Sequence, residues 1–480
     1  MSAQSDRVPG GSSGDTAAGL LQPTVTGPLS RFIAGSQQAD VPADTRDLAK
    51  RHILDTLASI VACRDLEPSV LARKFALEQS GDARRSAVTI LGTTDRAALI
   101  DAVFASAMAG HGAEINDFIP SSFVQPGPSI VSTALSLAEL RGGDGDAVVR
   151  AVITGYELAG RMPRALGIDN LRRFNIANHG IGPVFGVAAA AASMLRLPEE
   201  RIGDLLSYCA QQASGCYQWL LDVEHIEKSF VFAGLGARAG LQAALFVEAG
   251  FRGVRNALDH PGGWMGSATF SGPGSDGDRA YLVEDLGVRS ELPLTAYKRF
   301  PVGGPTQPAV QGLLELLPRI RVDQVEKVSI AMPGRWEAFR DAEMPALNLR
   351  YLMAIILLDG ELDFVAAQSL ERMHNDPAVR ELMARVHVVH DPTQEHGPDE
   401  PRRESARLSV WEASGIRHEI FVPHVVGFPS HPMSRSEVEQ KALGLMAPAL
   451  GPDRAAEIVG RVRNLEAERR AADLVDLIAR

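Results

Sequence analysis

Lysine is the residue this chain nearly does without: of 48 Lys and Arg, six are lysine (Lys50, Lys74, Lys228, Lys298, Lys327 and Lys441) and the other 42 are arginine. Arginine serves wherever a surface needs positive charge. A lysine at the mouth of a helix rich in Gly and Ala, as Lys228 is, therefore invites a chemical reading, because an ammonium gives up its proton on burial and a guanidinium does not. Cysteine is also scarce. Cys63, Cys209 and Cys216 form no CxxC or other metal-ligand spacing, and each lies in an apolar helical pattern, so neither a metal site nor a disulfide is expected. Positive charge is in deficit as well: a net charge of −11 leaves no basic surface for phosphate and excludes nucleic acid as a partner. No run approaches the ~20 apolar residues of a membrane span, and no basic segment leads into an apolar core at the N-terminus. A cytoplasmic protein without membrane contact is expected.

What is present is enough apolar residue, 45% of 480, to bury a large core in two domains. Residues 1–28 are rich in Gly, Ser, Pro and Thr and are expected to be disordered. From 29 to about 290 the pattern is helical. Ile53, Leu57, Ile60 and Val61 mark one buried stripe, and further helices fit Thr94 to Gly110, Pro128 to Gly142, Ala147 to Met162, and the segments after His179 and Lys228. Small residues recur at three- and four-residue spacing in the last two, which predicts close helix packing, not a cofactor loop. After Leu292 strands appear: Val325 to Met332, Val386 to His390, Arg407 to Trp411 and Arg417 to Val422, the last two joined as a hairpin. Asp391 to Glu404 reads as a loop, and Ser434 with Glu437 forms a capping box that opens a final helical segment. The fold expected is mainly α: a helical domain (29–296), an inserted α+β lid (297–431) and a helical return (432–480).

Polar residues gather where helices or turns begin: His111 to Asp117 with Glu114 inside it, Gln125-Pro-Gly-Pro-Ser129, Asn178-His179-Gly-Ile-Gly, Lys228, and Lys298-Arg-Phe-Pro301 with Gly303 following. Tyr351 and the triplet Gly155-Tyr156-Glu157 complete the set. In order and spacing these segments resemble the MmgE/PrpD family, from about residue 30 to the C-terminus. The resemblance implies a helical domain, a lid and a cleft between them. It also implies a homodimer, and a small polycarboxylate that reacts without metal or organic cofactor. It places Glu114 at the family's acidic position and makes Lys228, His179, Glu114 and Tyr351 the catalytic candidates. Asp117, Gln125, Lys298, Arg299 and Gly303 become substrate-binding candidates. Three features depart from the family pattern: Gln125 and Gly303 each stand where a histidine is usual, and the His-x-Gly after the lysine is here Phe232-Ala233-Gly234 with one residue more between.

The residues themselves support that chemistry. Glu114 and Asp117, three apart, can share a face, and burial would raise the pKa of one toward acid or base work. Gly180 and Gly182 leave room for a carboxylate at a helix N-terminus. His387 and His390, three apart on a strand, point to opposite faces and make no metal pair. His260 is a spare acid or base on a loop. Gln can orient but not exchange a proton, and Gly can do neither, which disfavours plain dehydratase or decarboxylase chemistry. The expected activity is proton removal next to a carboxylate followed by loss of water. Epimerisation, decarboxylation, or binding without catalysis are the alternatives.

Overall fold

The computed structural model describes residues 24–81, 87–395, 397 and 404–479. The tail expected to be disordered lies mostly outside these, as does most of 396–403 in the expected charged loop. Residues 24–28 are ordered, against that expectation. Val25 is fully buried, Thr26–Gly35 is helical, and Asp259 accepts from the Val25 and Thr26 amides at 2.7 and 3.2 Å.

The fold is mainly α, with a smaller α+β part. Its body centres on helices Ala43–Cys63, Leu99–Gly110, Gly127–Arg141, Gly145–Leu166, Asn178–Leu195 and Leu235–Glu248. Local chemistry sets several boundaries. Gly142, at φ 79°, closes one helix in the left-handed conformation, and the Asp144 side chain accepts from the Ala147 amide to open the next. The helix expected from Thr94 starts later, at Leu99. Residues Arg96–Ala98 form a strand, β2, antiparallel to β1 (Ala87–Thr89), because Gly92 at φ 81° and the Thr93 hydroxyl, which accepts from the Asp95 amide, make a tight turn first.

The glycine stripes do what their spacing predicts. A Cβ on Gly186 would meet the Gly155 carbonyl at 2.8 Å, and one on Gly240 the Val184 carbonyl at 2.5 Å. Three helices thus pack backbone to backbone. Residues Ile226–Glu248 run as one helix that is long and apolar enough to cross a membrane, which the sequence reading did not pick out; two thirds of its most apolar window (67%) is buried inside the protein, so it serves as a core helix here. Near its start, Phe230–Gly234 form a π-helical turn, which takes up the extra residue noted before Gly234.

The four expected lid strands are β3 (Val325–Met332), β4 (Val386–His390), β5 (Ala406–Glu412) and β6 (Arg417–Val422), in order β4-β3-β5-β6 with only the β3/β4 pair parallel. Their buried residues share an apolar core with helices Gln307–Leu316 and Leu349–Asp359. The capping box at Ser434 and Glu437 is present. The helices it precedes return to the body, where Ala442, Met446 and Ile458 join a core drawn largely from residues 25 to 292.

Candidate active site

Helix Leu99–Gly110 ends into a loop that carries Glu114, and the body fixes this loop from several sides. Lys441 of the C-terminal return contacts the Ile115 carbonyl at 2.7 Å and Asp55 at 2.5 Å. Asp117 accepts from the Tyr156 hydroxyl (2.6 Å) and the Gly127 amide (3.2 Å) and lies 2.9 Å from His52 Nδ1. Phe118 and Ala296 exchange backbone hydrogen bonds of 3.0 and 2.7 Å. That bridge brings the chain entering the lid, with Lys298, against the loop. Farther back, Glu157 pairs with the fully buried Arg161, whose guanidinium donates to the carbonyls of Tyr281, Glu284 and Arg289 and so shapes the approach to the lid.

These supports converge on Glu114. One carboxylate oxygen contacts Lys228 and lies 3.2 Å from His225 Nε2; the other is 3.1 Å from Lys298 Nζ. Glu114, Lys228 and Lys298 are 3, 4 and 2% exposed, so the charges act at low dielectric. Burial pushes the Glu114 carboxyl up, but Lys228, Lys298 and His225 together hold it well below the usual carboxylate range. This reverses the upward shift expected from sequence. Burial pulls Lys298 below its ordinary value, against the opposing pull of Glu114.

Two histidines flank the carboxylate. A carboxylate only accepts, so His225 Nε2 carries the ring proton and its Nδ1, 3.0 Å from Ser229 Oγ, is unprotonated; the Ser229 hydroxyl itself is 2.6 Å from the His111 and His225 carbonyls. His111 places Nδ1 2.6 Å from Asn116 Oδ1, whose amide is oriented by a bond to the Asp117 carbonyl; Nδ1 therefore donates and Nε2 is bare. Burial, and then the partner histidine or the lysines, lowers both rings below the ordinary histidine value, so both are neutral at pH 7. Nitrogen and oxygen atoms of His111, Glu114 and His225 lie within 4.8 Å of one another and are a conceivable metal-ligand set. A cation there would have to displace the ammonium groups that already hold Glu114.

A cavity of about 1210 Å³ opens over this cluster, and Glu114, Gln125, His179, Lys228, Lys298 and Gly303 all line it. His179 stacks on Phe232 (4.0 Å between centroids) and meets Trp219 edge-on. Asn178 beside it pins the preceding loop by donating to the Ser122 and Phe123 carbonyls at 2.6 and 3.1 Å.

The structure does not bring every candidate to the cavity. Tyr351 is fully buried in the lid core and donates to the Ala366 carbonyl, as an aromatic on an apolar helix facing a sheet does. Asp117 stays behind the loop, and Arg299 is exposed, with its guanidinium over Phe300. His260 lies at the surface with Nδ1 taken by the Gly262 amide. The room expected beside Gly180 and Gly182 is already filled: a Cβ would meet the Ser214 carbonyl at 2.4 Å in one case and Val124 at 2.6 Å in the other. His225 escaped the sequence reading. It takes a left-handed backbone (φ 64°), rare for a residue with a side chain, and its position three residues before Lys228 on one helical face was the available signal.

Residues 27–275 match the MmgE/PrpD N-terminal domain and residues 300–467 the MmgE/PrpD C-terminal domain, so the chain belongs to the MmgE/PrpD family. A curated relative, the cis-aconitate decarboxylase-like protein oryM of Aspergillus oryzae, is 24% identical over 496 residues, covering 95% of this chain and 97% of its own length.

Proposed function

We propose that this protein is a lyase that acts on a di- or tricarboxylic acid by removing a proton next to a carboxylate, with no metal or organic cofactor. The observation that carries the reading is Glu114 held between two buried lysines at the wall of the cavity. With the histidines neutral, the cluster has one carboxylate against two ammonium groups, and this surplus of positive charge suits an incoming anion. A substrate carboxylate that draws Lys228 or Lys298 toward itself removes a partner from Glu114, whose proton affinity then rises. Glu114 becomes the base only when substrate is in place. The lysines stabilise the negative charge that develops on the substrate as the proton leaves. His179 is the acid that assists the leaving group, and Gln125 orients it by hydrogen bonding.

Elimination of water is the first reading. Epimerisation is the second: it needs a proton delivered to the opposite face of the same carbon, and among the described residues His179 is the one imidazole lining the cavity that can deliver it. Incubating the protein with a panel of di- and tricarboxylic acids in deuterated water tests both. α-Proton exchange that disappears in Glu114→Gln supports the assignment. Binding of acids with neither exchange nor product would make the protein a carboxylate-binding member of its family.

A further inference from the structure

We infer that the acid taken by this site carries an apolar chain or ring that lies along the lid wall of the cavity. This rests on the functional reading above, since it concerns the rest of the same substrate. At about 1210 Å³ the cavity exceeds the roughly 300–1,000 Å³ of sites that hold drug-sized ligands. A small polycarboxylate anchored at Lys228 and Lys298 leaves most of it unfilled.

Much of the remaining wall is apolar. The end of β3 and the lid segment after it contribute Met332, Phe339, Met344 and Leu347, and the turn Tyr217–Leu221 adds Leu220 and Leu221. Leu220 and Leu221 are 52 and 83% exposed, a cost in water that a bound apolar group removes. Gly303 matters to the same wall: a Cβ there would come within 2.2 Å of Leu347 Cδ2, so leucine methyl groups hold the space a side chain at 303 would enter. Asp341 is tied up by Arg340 and Arg350 at 2.5 and 3.1 Å, and Glu343 and Arg335 on the same wall are of opposite sign, so the segment offers no surplus positive charge to hold a further carboxylate. Uncharged carbon is what this end accommodates.

The test is calorimetric titration of the full chain with succinates bearing a 2-methyl, 2-butyl, 2-hexyl or 2-octyl group. Each methylene that enters the wall tightens binding by up to about fourfold, from ~0.8 kcal/mol per buried CH₂. The hexyl acid is therefore expected to bind at least tenfold more tightly than the methyl acid. Leu347→Asp, and independently Leu221→Asp at an exposed position that tolerates the change, should bring that ratio below threefold. Lys228→Ala should weaken the whole series. Equal affinities across a Lys228-dependent series overturn the apolar chain and leave the acid site standing. A gain with chain length that persists in Lys228→Ala is adsorption to the surface, and it overturns the inference too. If no member of the series binds, the acid site itself is wrong and the inference falls with it.

Discussion

Phe118 and Ala296, 178 positions apart in the sequence, exchange backbone hydrogen bonds, and through this one bridge the chain that enters the lid is fastened to the loop that carries Glu114. Lys298 follows two residues after Ala296, which is why its ammonium reaches a carboxylate so distant in sequence. The cluster is thereby assembled before any substrate arrives.

Glu114→Gln keeps the shape of the side chain and removes its charge, leaving Lys228 and Lys298 without their buried counter-ion. Proton exchange on the substrate should fall by about 10²–10⁴, the usual contribution of a general base. Single-turnover NMR in deuterated water measures it; exchange within threefold of wild type would remove Glu114 from the base role.

Lys228→Ala and Lys228→Arg should both fail in the same assay. The guanidinium is larger than the 4% exposed pocket that holds the ammonium and presents a planar fork in place of a point charge. Wild-type rates in the arginine variant would show that only charge matters there.

Stability should depend on pH through His111 and His225. Their folded pKa values lie below the ordinary histidine value, so the unfolded chain binds more protons once the pH drops under about 6.5. Stability is complete above that pH and is lost as the pH falls through it toward the folded values. Glu114, held low, contributes stability above the ordinary carboxylate pKa of about 4.3 and loses it only below, outside this window. Melting temperature should therefore decline between about pH 7 and 5, and less steeply in His111→Gln; parallel declines in the two proteins would contradict the assignment.

Two glycine substitutions separate packing from helix propensity. Gly240→Ala places a methyl 2.5 Å from the Val184 carbonyl and should cost about 1–3 kcal/mol by overpacking. Gly444→Ala, in helix Arg435–Leu450 with nothing within 4 Å, should gain roughly 0.5–1 kcal/mol. Denaturant unfolding reads both.

Activity on an acid that turns over should survive exhaustive chelation, and cis-aconitate and 2-methylcitrate should be poor substrates, because neither Gln125 nor Gly303 on the cavity wall exchanges a proton. Loss of activity restored by a divalent metal would assign His111, Glu114 and His225 to that metal. Efficient turnover of either acid would show that His179 suffices.

Much of this was legible in the residues. Strand periodicity located the four lid strands, and the Gly142 and Ser434 signals located helix ends, because these are local devices. Lys228, Lys298, Glu114 and His179 stood out as polar residues at helix and turn starts. What local pattern cannot carry is direction. Tyr351 sits on a helix buried all round, where spacing does not say which side meets a cavity. His225 reaches Glu114 through a left-handed backbone that histidine adopts only because its surroundings enforce it. The Gly180 and Gly182 expectation failed for a related reason: space beside a glycine is visible only once the neighbouring chain is in place.

The contact of Lys441 with Asp55 and the Ile115 carbonyl sets an order of events in time. Asp55 and Lys441 are 386 residues apart, and synthesis proceeds from the N-terminus at about 5–20 residues per second. The ribosome therefore makes nearly the entire body and lid before the residue that braces the Glu114 loop exists. In the finished protein Asp55 is buried, and burial pushes its carboxyl up against the opposing pull of Lys441, so the cation is what offsets the cost of that buried acid. Bracing of the Glu114 loop by this contact therefore depends on a helix that is among the last segments of the chain to be made.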